Sequence, residues 1–343
     1  MKNFYSLANC ALMCGALFFG GVISSCSDDD EGGGGGGQST EPPSENIGLT
    51  TPDGTKLKLT SIGDYSFSYN AKGLPVTIVG EGGWQTITIS YNPMVVRYVY
   101  SSDGNDKATY TLYLNDKGYI SKAVGVIKYT DSEGSETGND ECNFVYNADG
   151  RLTAMTEKTS YSGTEDGERY SGHASCSGTL TYSGNNLAKA VWHTAGVEDG
   201  EAYDDYDTFT YHYDNNIPNR LAQFSHSLEG MMQADETEIE PFFYLGLLGK
   251  PSAQFPTSVT YVTSYDDGES NENTMQAGYS FGSDGRLLQE TFEYRTYNYS
   301  YVEADDEPDA VNPAAVAAKS FDSLRKSFDG RKKLHRHGRH VRR

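Results

Sequence analysis

The 343-residue chain has no His-Glu-x-x-His and no Gly-x-x-x-x-Gly-Lys-Ser/Thr, so zinc-hydrolase and P-loop chemistry have no foothold in it. Basic side chains are scarce in the body. Residues 27–318 hold 16 Lys and Arg against 46 Asp and Glu, a balance that argues against nucleic acid or an anionic surface as a partner. The remaining positive charge is concentrated at the end, where ten Lys and Arg at or beyond Lys319 face only Asp322 and Asp329. Cysteine is too rare for a disulfide framework, with five in all. Leu, Ile, Val and Phe together make 62 residues, a level that at this charge ordinarily signals disorder. Tyrosine reverses that reading. There are 26 Tyr against 21 Leu, set at alternate positions among Thr and Val, as half-buried strands require.

The first residues are organised differently. Lys2 precedes about twenty mostly apolar residues from Phe4 to Ile23, and Ile23-Ser24-Ser25-Cys26 closes the run with small residues before a thiol. This ending resembles the bacterial lipobox, so residues 1–25 are expected to be a lipoprotein signal peptide and Cys26 the lipid attachment site. Two or three acyl chains would hold the chain on a bilayer far more firmly than one. Ser27-Asp28-Asp29-Asp30-Glu31 resembles the acidic stretch of surface-exported lipoproteins of Bacteroides-type anaerobes, and is equally a solvated charge run. With Gly32–Gly37 it completes a flexible tether over 26–46. The expected location is the outer membrane, lipid-anchored and exposed at the cell surface, the periplasmic face being the alternative.

From residue 47 to 302 the chain repeats. "FSYNAKGLPVTI" (67–78), "LYLNDKGYISKAV" (112–124), "FVYNADGRLTAMT" (144–156) and "YSFGSDGRLLQET" (279–291) share alternating aromatics, turn residues ending in Gly, and a new alternating run. Three looser copies begin near Ile89, Leu180 and Tyr211. Each is a hairpin signal. Between them lie acidic stretches such as "DSEGSETGNDE" (131–141), "SGTEDGER" (162–169) and "AGVEDGEAYDD" (195–205), read as long loops. An antiparallel meander would gather tight turns at one rim and these loops at the other. The fold class is all-β, with about 14–16 strands in a barrel-like or strongly curved sheet.

Two regions depart from the repeat. The spacing from Tyr213 to Phe281 is twice the usual, and "LEGMMQADETEIEPFFYLGLLGK" (228–250) reads as a short helix or lid-like loop. Beyond 302, Asn312-Pro313 with Ala317, Phe321, Leu324 and Phe328 predicts an amphipathic helix within 303–330, followed by a basic disordered tail over 331–343.

The Tyr-Asn-x-x-Gly-Arg-Leu stretch at 146–152 and Gly-Ser-Asp-Gly-Arg-Leu at 282–287 resemble the tyrosine-aspartate repeats of Rhs-type β-shell proteins. The lipobox, tether, tyrosine-rich hairpins and "GKPSAQFPTSVTY" (249–261) together are similar to a Bacteroides-type lipoprotein family. Its domain of unknown function has a porin-like fold, and the similarity covers roughly 55–302. The resemblance implies fold and location; it assigns no catalytic or binding residue.

Porin-like does not imply a pore. "WQTITISY" (84–91) puts Thr86, Thr88 and Ser90 on one face, and "TFTYHYD" (208–214) puts Thr208, Thr210 and His212 there, so the outside is expected to be wet rather than lipid-facing. His173 and His193 are candidates for an acid-rich site near the loop rim, against the simpler reading as solvated strand-end histidines. "DSEGSE" and "YDDYD" carry oxygen ligands without the full calcium-loop pattern, so no metal or other cofactor is expected. Trp84 and Trp192 stand near the loop rim, where they stack on sugar rings if exposed and pack as strand aromatics if not. Cys142 and Cys176 fall two strands apart, about 9.6 Å, too far for a disulfide, and should be free thiols. The expected function is a non-enzymatic envelope lipoprotein that binds or adheres to a glycan or an envelope protein. An envelope-structural or transport-associated barrel and a glycan hydrolase are the alternatives. The tether should join the body at the loop-rich end unless "LKLTSI" (57–62) adds a strand.

Overall fold

The structure, a computed structural model, describes residues 42, 47–80, 83, 85–99, 107–130, 134–165, 167–198, 200–225, 242, 244–264, 270–292 and 295–304. Seventeen strands follow one another: β1 (Leu49–Thr50), β2 (Lys56–Ile62), β3 (Tyr65–Tyr69), β4 (Pro75–Gly80), β5 (Thr86–Ser90), β6 (Met94–Val99), β7 (Lys107–Leu114), β8 (Ile120–Thr130), β9 (Gly134–Tyr146), β10 (Leu152–Glu165), β11 (Glu168–Ser183), β12 (Asn186–Glu198), β13 (Glu201–His212), β14 (Ser258–Ser264), β15 (Ser270–Phe281), β16 (Leu287–Phe292) and β17 (Arg295–Glu303). From β2 onward each strand pairs antiparallel with the next, and β17 returns to β2 through Tyr299↔Ile62 to Glu303↔Leu57, so sixteen strands close a barrel. The two-residue β1 pairs with the start of β2, where β3 pairs only with its end.

Side-chain alternation decides which face is inside. On β5, Ile87 and Ile89 are buried while Thr88 and Ser90 are exposed; on β13, Phe209 and Tyr211 are buried and His212 is exposed. The outer face of these strands is thus polar and the lumen carries the apolar core, the reverse of a lipid-facing band. No helix among the described residues is long and apolar enough to cross a membrane, which leaves strand-based spanning untouched.

The repeated turn has one construction. Asn70 Oδ1 accepts from the amides of Lys72 and Leu74, and Asn115 Oδ1 from those of Lys117 and Tyr119, while Gly73 and Gly118 take φ of +74° and +76°. Asn is needed for the side-chain acceptor and Gly for the left-handed backbone. A register shift follows in each hairpin, at Ser68/Tyr69 and Tyr113/Leu114, so the turn carries a bulge that sharpens strand twist.

A tyrosine latch in five of the seven repeats explains part of the composition. Tyr69 donates to the Leu59 carbonyl, Tyr91 to Pro75, Tyr146 to Ile120, Tyr213 to Leu187 and Tyr279 to Pro256, at 2.5–2.9 Å. Each ring packs against the core while its hydroxyl satisfies a carbonyl on another strand or the returning chain. These five latches draw the tight-turn end together. Leucine in their place would fill the same space and leave the carbonyls without this donor.

The double-length spacing after Tyr213 is the barrel's floor. Residues 247–257 cross the tight-turn rim: Leu247 accepts from the Ile120 amide, Lys250 donates to Gly150, Ala253 to Asn185 and Phe255 to Ile217. Phe242, Tyr244, Leu245, Leu248 and Phe255 fill the lumen above them. Of the expected helix or lid over 228–250, residues 228–241 and 243 lie outside the described residues; 242 and 244–250 belong to this floor and its filling. The expected helix within 303–330, the basic tail and residues 1–41 also lie outside them.

Two expectations are corrected. The acidic stretches 131–141, 162–169 and 195–205 are mainly strand, with the chain reversing around Gly167 (φ +84°) and Gly200 (φ +87°). Register pairs run unbroken to Glu165↔Glu168 and Glu198↔Glu201, so ladder hydrogen bonds replace the loops. And "LKLTSI" does add a strand, β2, so the chain enters the barrel at the closed, tight-turn end rather than the opposite one.

Candidate functional site

β8 to β13, at 11–16 residues, are with the 12-residue β15 the longest strands of the barrel. The 16 residues of β11 have a contour length of about 54 Å, against about 17 Å for the five of β5. Their far halves form a projecting wall whose inner face is open. Along β11 the inward residues pass from buried Leu180 and Cys176 to half-buried Ala174, Gly172 and Tyr170 and then to exposed Glu168.

Glycine and aromatic residues share this inner face. Tyr161 is opposite Gly172, Tyr170 opposite Gly163, Tyr203 opposite Gly196, Trp192 opposite Gly178, and Tyr110 opposite Gly125. A Cβ at any of these glycines would come within 2.1–2.5 Å of the ring across from it. Each ring therefore lies across the neighbouring strand, in the space a side chain would fill. In the buried half Trp192 and Tyr110 complete the core. In the open half Tyr161, Tyr170 and Tyr203 remain half-exposed, with Tyr161 and Tyr170 ring centroids 6.4 Å apart. A shallow polar recess of about 890 Å³ at the same tip has Ser162, Gly163, Thr164, Arg169 and Tyr170 in its wall.

The lumenal carboxylates are held by tyrosines too. Tyr170 donates to Glu136 at 2.7 Å, Tyr110 to Asp140 at 2.8 Å, Tyr261 to Asp207 at 2.9 Å and Tyr299 to Glu290 at 2.6 Å. Asp140 is 3 % exposed and lies beside Glu157, also 3 % exposed, and Cys142, which is fully buried. Burial raises the Asp140 carboxyl above the ordinary carboxylate range, opposed by hydrogen bonds from Tyr110 and with Glu157. Burial likewise pushes the Cys142 thiol well up, and Cys176 up to about 11. Both cysteines are free, on either side of Glu157 in register.

The candidate residues read from the sequence fare differently. Trp192 is 1 % exposed and packed over Gly178, so it offers no face to a ligand; a linear strand does not reveal that its partner lacks a side chain. Trp84 and Cys26 lie outside the described residues. His173 is exposed on the outer face, and His193, also outward, pairs with Asp204 and stacks on Tyr206 at 4.3 Å, so neither joins the lumenal acids. In "YDDYD" Asp204 faces out and Asp205 in, which divides the imagined calcium ligands between two faces. Sequence reading missed Tyr161, Tyr170 and Tyr203. The signal was there: Tyr161-Ser162-Gly163 and Tyr170-Ser171-Gly172 are the same triplet on both arms of one hairpin, and each tyrosine covers the other's glycine.

Among curated proteins none matches the chain. Two solved structures are similar in part: a porin-like protein from Bacteroides vulgatus ATCC 8482 and another from Bacteroides uniformis ATCC 8492. The first is 15% identical, with a TM-score of 0.49 over 71% of this chain and 98% of that one; the second is 19% identical, with 0.45 over 77% and 100%. Residues 76–289 match the model of a domain of unknown function (DUF4595) with porin-like fold. That span covers most of the barrel, and the chain belongs to this family.

Proposed function

We propose that the protein is a non-enzymatic envelope lipoprotein, anchored in the outer membrane through Cys26, whose projecting wall binds a glycan. The observation that carries this reading is the inner face of β10–β13, where Tyr161, Tyr170 and Tyr203 lie over glycines, half-exposed, beside Glu136. Ring faces suit the C–H faces of sugars, and hydroxyl and carboxylate groups at their edge suit sugar hydroxyls. The floor over the tight-turn end supports a receptor closed below rather than a conduit. Entry of the chain at that end supports a mouth pointing away from the anchor. The glycan-hydrolase alternative draws little support from Asp140 and Glu157, which are buried against each other, whereas hydrolysis uses carboxyls about 5–9.5 Å apart across an open cleft.

A glycan array probed with the full chain tests the reading. Binding is expected, with Tyr161→Ala and Tyr170→Ala each weakening it at least about tenfold, in line with loss of an aromatic hot spot. Trp192→Phe should leave affinity unchanged. No bound glycan, or binding indifferent to all three tyrosines, sinks the proposal; turnover of an arrayed glycan restores the enzyme.

A further inference from the structure

We infer that Asp140, Cys142 and Glu157 form a zinc-type metal site in the lumen, independent of the tyrosine surface above it. Their ligand atoms all lie within 4.8 Å of one another, and Cys142 Sγ stands 3.6 Å from Asp140 Oδ2. Bonds of about 2.3 Å to sulfur and 2.0 Å to oxygen at a tetrahedral angle set an S···O edge of about 3.5 Å. The edge is thus already at metal-binding length. Tyr110 holds Oδ2 of Asp140 and Thr159 holds Oδ1 at 3.3 Å, the outer contacts that orient a ligating carboxylate.

Charge points the same way. Two carboxyls and a thiol are buried side by side, yet the described inward residues of β7–β13 include no Lys, Arg or His. The inward neighbours are Tyr110 on β7, Ala123 and Gly125 on β8, Met155 and Thr159 on β10, and Ala174 and Cys176 on β11. Shared protons or a bound cation would neutralise such a cluster. A thiolate with two carboxylates suits Zn²⁺, borderline in softness, and disfavours Ca²⁺ and Mg²⁺, which take oxygen ligands. The trio supplies three of four tetrahedral positions. Binding displaces the thiol proton and any carboxyl proton to solvent, without redox change.

The full chain, purified in detergent and stripped with a chelator, is titrated with Cd²⁺ and Co²⁺ and then competed with Zn²⁺. One equivalent should give a thiolate-to-metal charge-transfer band that Zn²⁺ abolishes, and Zn²⁺ should raise the thermal midpoint. Histidines of the basic tail bind Co²⁺ without such a band, which separates the two locations. Cys142→Ser should remove the band, Cys176→Ser should keep it, and Tyr110→Phe should weaken Zn²⁺ by about 10–100-fold. Wild-type protein with no band and no metal-dependent stability would show that shared protons neutralise the trio, and would overturn the site. A band that survives Cys142→Ser would overturn it equally.

Discussion

At Gly178 a single methyl group would collide with a ring already in place. Its carbon would sit 2.1 Å from Trp192 Cζ3, with two more indole atoms within 2.5 Å. Trp192 is hemmed in by the core, so the collision cannot be relieved by swinging the ring into water. Gly178→Ala is expected to cost about 1–3 kcal/mol of unfolding free energy, read as a lower urea midpoint. Gly278 provides the contrast: on exposed β15, its added carbon would meet only Thr291 Cβ at 3.8 Å. There Gly→Ala should be neutral or stabilise by about 0.4–1 kcal/mol by restricting the unfolded chain. Equal effects at the two sites would remove ring-over-glycine packing from the account.

At the scale of the hairpin, the tyrosine latch makes stability depend on alkaline pH. Burial raises the Tyr213 hydroxyl to about 12 and raises those of Tyr69 and Tyr146 as well. An unfolded tyrosine ionises near pH 10, so above that value the unfolded chain loses protons that the folded chain keeps. Stability is therefore full below about pH 10 and falls as pH rises toward the folded values, by about 1.4 kcal/mol per pH unit for each such tyrosine. Urea unfolding at several pH values should show this decline, with a shallower slope in Tyr213→Phe; a slope unchanged by that substitution would count against the latch. The hairpins themselves were legible because Asn70, Gly73 and their counterparts act within five residues. The long strands were not, since "TEDGE" reads as loop until the tyrosines of one arm are matched to the glycines of the other. The floor was illegible for a related reason: residues 247–257 bond to widely separated turns of one rim, and no local period marks them.

For the whole molecule, closure and filling set what the barrel does in a membrane. Most of its large apolar residues are buried, with Val124, Val126 and Val145 among the exceptions, and Phe242, Tyr244 and Leu248 occupy the space a channel needs. Added to planar lipid bilayers, the full chain should produce no stepwise ion conductance; discrete open levels would contradict the filled lumen. The barrel-like architecture was legible from alternation and strand number, and the family resemblance implied its porin-like form. The state of its interior was not, because it depends on where one irregular segment sits.

Closure also makes the two ends of the barrel neighbours. The Ala304 amide donates to the Lys56 carbonyl at 3.0 Å, so the first long strand and the last meet within a hydrogen bond of each other. A short linker there would turn the barrel into a ring of chain that has no necessary starting point. Cutting that ring at Gly200 would carry the new ends to the mouth, and a lipid anchor attached to them would hold the molecule upside down, with its tyrosines toward the bilayer.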